Sequence, residues 1–140
     1  MRDARFAGPT IRNSILFAAI GAVWLVGAAL AEIDLSDFDD DTMRAMDDAM
    51  KDLEPVIGGK SAIAAQTDAQ TIQEGLKWTE AYFTKKGNFD DAVQIAKHGE
   101  DLVAEVQANV SKSDFDAAMT AARAVEKNCH ACHDLYKPRK

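Results

Sequence analysis

Two cysteines and two histidines fall within five residues, Cys129-His130-Ala131-Cys132-His133, near the end of a 140-residue chain. Cys-x-x-Cys-His is the attachment signature for c-type haem. Two thiols add across vinyl groups on adjacent pyrroles, which fixes how far apart the sulfurs lie. The next residue then sits beneath the iron, where an imidazole nitrogen can bind it. On a helix, positions 129, 132 and 133 are i, i+3 and i+4 and share one face. Cys129 and Cys132 are therefore expected to carry one covalent haem c and His133 to be an axial iron ligand. His130 points about 300° round the helix from His133 and reads as a solvated residue. His98, between Lys97 and Gly99, reads as a surface histidine.

Other chemistries are open to two cysteines at this spacing. A disulfide scaffold would spread its cysteines to staple distant segments. A thioredoxin-like pair wants a preceding strand and a βαβ setting, and no segment alternates with period two. A zinc site needs about four ligands. Crowding Cys129, Cys132, His130 and His133 into one helical turn is poor tetrahedral geometry. A plain Cys129–Cys132 disulfide is the remaining competitor.

The start of the chain bears on that competition. Arg2, Arg5 and Arg12 precede an apolar run from Ile15 to Leu30, which closes on Ala29-Leu30-Ala31 and is followed by Glu32. This is the pattern of a cleaved signal peptide over residues 1–31. It is marginal for a retained membrane span, which takes ~20 apolar residues. Export to the periplasm is the expectation, with the export and haem-attachment machinery as transient partners. Residues 32–140 then form one domain, with no membrane span after processing. They carry 13 Lys and Arg against 22 Asp and Glu, net −9. Such acidity argues against nucleic acid and anionic membrane surfaces as partners. It suits solubility first, and a basic docking face on a protein partner second.

The elements that must position the motif follow from apolar spacing and punctuation. Residues Glu32 to Asp41 read as a flexible acidic lead-in. A first helix is predicted from about Asp40 to Ile57, with Met43, Met46, Met50, Leu53 and Ile57 on one face. Gly58-Gly59 ends it, and Pro55 threatens a kink or an earlier end. A second covers about Thr67 to Lys85, preceded by a short Ser61–Ala65 turn. Ile72, Leu76, Thr79 and Phe83 share its inner face, with Trp78 and Tyr82 at the edge. A third runs from Asn88, as its cap, to Val110. A fourth runs from Ser113 to about Lys137 and is stopped by Pro138. Its stripe of Phe115, Ala118, Ala122 and Val125 continues through Cys129, Cys132 and Tyr136. The expected fold is all-α, an antiparallel up-down-up-down four-helix bundle, with the haem face turned toward its core.

A Cys-x-x-Cys-His closing a four-helix chain resembles the class II cytochromes c, which include cytochrome c prime and its low-spin relatives. The resemblance is specific only in the last helix, at Cys129-His130-Ala131-Cys132-His133 followed by Asp134-Leu135-Tyr136-Lys137. It implies a single haem at one end of the bundle and either electron transfer or gas binding. In low-spin relatives a methionine early in the first helix reaches the iron. Met43 matches that position best here, Met46 is the fallback one turn on, and Met50 reads as core. A His/Met pair saturates the iron and raises its potential. The resemblance thus implies an electron carrier between redox proteins, with no substrate turnover. The alternative it leaves is an open iron site that binds nitric oxide or carbon monoxide, and a methionine stripe is also ordinary core filling. The resemblance implies a haem-propionate contact for Arg44, beside Met43, but it reads first as a solvated helix charge. Lys137, Arg139 and Lys140 form a basic tail that complements the helix dipole or marks a docking edge. The Lys86-Gly87-Asn88 connection is shorter than class II proteins often have. A homodimer through exposed apolar residues such as Trp78 is possible for such a bundle but not required.

Overall fold

The computed structural model describes residues 34–137. The signal-peptide reading, Pro138, Arg139 and Lys140 lie outside them. Four helices follow in order, α1 Asp40–Gly58, α2 Ala62–Lys86, α3 Asp90–Ser111 and α4 Phe115–Tyr136. Among the described residues there is no strand. Each helix packs on its chain neighbour, and α4 closes the ring against α1. Connections of three residues make neighbours antiparallel, so the expected up-down-up-down bundle is observed. No helix among the described residues is long and apolar enough to cross a membrane.

The caps show why the helices start where they do. Asp39 accepts from the Asp41 amide at 3.0 Å and from the Thr42 hydroxyl at 2.7 Å, satisfying part of the first turn of α1. Pro55 lies inside α1 without ending it, because the helix runs on to Gly58. The left-handed residue after it is Lys60, φ 55°, rather than either glycine. The predicted break before Thr67 is absent, and α2 is one helix from Ala62. The Thr67 hydroxyl donates back to the Ile63 carbonyl at 3.0 Å, which makes Thr67 an interior residue and not a cap. Asn88 does not cap α3 either. It takes φ 62° in the turn, and the helix begins at Asp90. Ser113 likewise turns at φ 58°, and Asp114 caps α4 by accepting from the Ala117 amide at 3.1 Å.

The core is continuous but uneven. Toward the α1–α2 and α3–α4 turns, Leu53, Ile57, Ala65, Ala69, Val103, Val106, Val110, Ala118 and Ala122 are at most 1% exposed. At the other end the filling is aromatic. Phe83 lies within 5.1 Å of Tyr136, 5.5 Å of Phe89 and 5.2 Å of Tyr82, centroid to centroid.

The lead-in is not free. Phe38 sits edge-on to both Trp78 and Tyr82 at 4.8 Å. The Asp37 carboxylate accepts from the Tyr82 hydroxyl at 2.6 Å and from Lys86 Nζ at 2.7 Å. These contacts correct the flexible reading of residues 34–39. They also half-bury Trp78, with Phe38 packed edge-on against it. The exposed large apolar side chains among the described residues are Ile63 and Leu135.

Candidate functional site

Of the four helix–helix seams, α1–α4 is the loosest. Two adjoining cavities open there, of about 190 and 490 Å3. Their combined walls are in the range of sites for small organic groups. Met43, Asp47, Thr79, Cys132 and His133 line both, while Cys129 and Met46 line the smaller one only. The α4 stripe therefore does what its spacing predicts. Residues 118, 122 and 125 are buried in the core, and the same face continues as half-buried Cys129, Cys132 and His133 along the cavities.

Two hydrogen bonds bracket the motif and tie α4 to α3. One residue before Cys129, the Asn128 amide donates to the Ile95 carbonyl at 3.0 Å. Three residues after His133, the Tyr136 hydroxyl donates to Asp91 at 2.5 Å. Gly99 makes the first possible. A Cβ there would lie 2.8 Å from Asn128 Nδ2 and 3.1 Å from both Leu76 methyls. None of these roles was visible in periodicity, because each joins residues at least 23 apart in the chain. The glycines were the available signal, since a glycine inside a helix costs ~1 kcal/mol against alanine and usually has a packing reason.

The electrostatics separate the competing chemistries. Burial pushes the Cys129 thiol up to about 11, with Glu126 adding to the effect. Burial also pushes Cys132 up to about 11, with Cys129 beside it. Redox-active pairs hold a thiol with a lowered pKa, so this is the opposite of a thioredoxin-like environment. Burial lowers the His133 pKa, with Lys137 and His130 helping, which favours the neutral imidazole that a metal requires. Among the described residues, no group of three or more His, Cys, Asp and Glu side chains converges to hold a bare metal ion. Cys129 and Cys132 are both free thiols, one turn apart on α4, and a disulfide between them stays the competing outcome.

The remaining sequence candidates sort by position. Met43 is half-buried and borders both cavities with His133. Met46 is 5% exposed, and Met50 is less buried than Met46, so the core methionine of α1 is Met46 rather than Met50. Arg44 reaches the larger cavity but is largely exposed and paired with Asp41 at 2.7 Å. His130 is exposed at the rim, 3.8 Å from Glu126. His98 is exposed on α3 and lines neither cavity. Thr79 was read only as core, yet it borders both cavities. Its hydroxyl donates to the Gly75 carbonyl at 2.8 Å, so its proton is spent on the helix backbone.

The cavities thus bring two thiols, one imidazole and the Met43 thioether to the same walls. No protein-family model, no curated protein and no solved structure matches this chain.

Proposed function

We propose that this chain is a periplasmic monohaem cytochrome of class II type that carries single electrons between redox proteins. One observation carries the reading. Cys132 and His133 on α4 and Met43 on α1 line the same pair of cavities, with Cys129 one turn back on the same helix face. When bound, haem c supplies a one-electron iron couple.

The chain's residues divide the remaining work. Cys129 and Cys132 would hold the group covalently, and His133 would offer a neutral nitrogen from a half-buried position. Met43 would offer a sulfur from α1, and a His/Met pair favours electron transfer over ligand binding. Asn128 and Tyr136 fix α4 against α3, so the motif keeps its height and rotation in the bundle. Phe38 and Leu35, carried by the docked lead-in, line the larger cavity. Orientation and burial of the group would be the protein's share of an electron carrier's task.

The visible spectrum of the purified oxidised protein tests this. A low-spin spectrum with a sulfur-to-iron band is expected. A high-spin spectrum would overturn the His/Met assignment in favour of an open site for nitric oxide or carbon monoxide. Export is checked separately: the mature chain should begin at Glu32, and a chain still carrying Ile15–Leu30 would overturn cleavage.

A further inference from the structure

Gly75 stands in the middle of α2, buried, with helical geometry that needs no glycine. What needs it is the Met46 side chain. A Cβ at position 75 would collide with both Met46 Sδ and Met46 Cγ, so the thioether of Met46 lies flat in the notch that the missing side chain leaves. Met46 is accordingly 5% exposed, while Met43, one turn earlier on the same helix, is half-buried. Both methionines border the smaller cavity, which Cys132 and His133 also line, and Met43 alone of the two borders the larger one as well; what sets Met46 apart is that its sulfur is lodged at Gly75.

We infer that Gly75 is the residue that decides which methionine is offered to the His133 side: its notch retains the sulfur of Met46 against α2 and leaves Met43 as the available ligand. The inference rests on the haem reading of the site and names a determinant within it. Without the notch, the Met46 thioether must turn, since two of its atoms overlap the new methyl group. Methionine has the rotatable bonds to do so, and the open space beside it is the smaller cavity. Replacing Gly75 with alanine therefore frees a second sulfur: Met46 becomes available on the His133 side, and takes over where Met43 is absent.

The test uses the full haem-loaded protein in four forms: the native sequence, Met43→Ala, Gly75→Ala, and Met43→Ala with Gly75→Ala. Met43→Ala should be high spin. Adding Gly75→Ala to it should restore a low-spin spectrum with a sulfur-to-iron band. A Met43→Ala protein that stays low spin, or a double variant that stays high spin, overturns the inference. A second readout does not involve the iron. Gly75→Ala should lower the thermal midpoint in the native background and not in a Met46→Ala background, where the methyl group has room. Equal loss in both backgrounds overturns the notch. Failure of the underlying reading looks different, because it shows as a native protein without covalent haem or with a high-spin spectrum.

Discussion

The two ends of this bundle are built from the same four helices and filled in opposite ways. At the α1–α2 and α3–α4 turns the filling is leucine, isoleucine, valine and alanine, closed to solvent. At the other end it is methionine, cysteine, threonine and aromatic rings around two cavities. Close-packed aliphatic layers hold a fold together, and a cavity costs its lining the contacts it would otherwise make. The open end thus gives up packing where the chain carries its thiols and imidazole. The lesson is a division along the bundle axis, with closed aliphatic packing at one end and open walls beside the thiols and imidazole at the other.

Substitutions at the two ends should then separate stability from ligation. Leu53→Ala removes a fully buried side chain from the closed end and should cost about 3 kcal/mol. Denaturant titration measures the loss, and the haem spectrum of the folded variant should be unchanged. A changed spectrum would break the comparison. Met43→Ala, at the open end, should cost only about 1 kcal/mol because the side chain is half-buried. The same variant should convert the low-spin spectrum to high spin.

The tie beside the motif offers a finer probe. Asn128→Ala removes the hydrogen bond to Ile95 and should lower stability by about 1 kcal/mol. Haem content should fall as well, since α4 loses one of its two fixed points. A variant that loses stability but loads haem normally would make Asn128 structural only.

The smallest expected effect is acid release of the lead-in. Lys86 and then Tyr82 hold the Asp37 carboxyl down at about 2, against an ordinary 3.8. A lowered folded-state pKa means the tie is fully present above about 3.8 and is lost as pH falls toward 2. Fluorescence of Trp78, which Phe38 covers, should change across that window. The change should be absent in Asp37→Asn, and its persistence there would assign it to another group.

Much of this was legible in the sequence, for reasons that particular residues show. Helix faces follow from side-chain spacing, so Ile72, Leu76, Thr79 and Phe83 are buried together as expected. The motif's alignment with the α4 stripe was readable in the same way. Boundaries were less so. Thr67 and Asn88 are good caps in isolation, but Thr67 bonds back to Ile63 inside a longer helix and Asn88 is spent in a left-handed turn. The lead-in was misread because charge dominates its composition, while one aromatic residue, Phe38, determines where it lies. The cavity walls needed contacts across the bundle. No spacing rule links Gly75 to Met46 or Asn128 to Ile95.

The most direct test of the account is the intact mass of the protein recovered from a bacterial host competent in c-type haem attachment. The account predicts the mass of residues 32–140 plus one haem, retained under denaturing conditions and lost when Cys129 and Cys132 are both replaced by serine. The mass of the polypeptide alone, with Cys129 and Cys132 free or joined to each other, would contradict it.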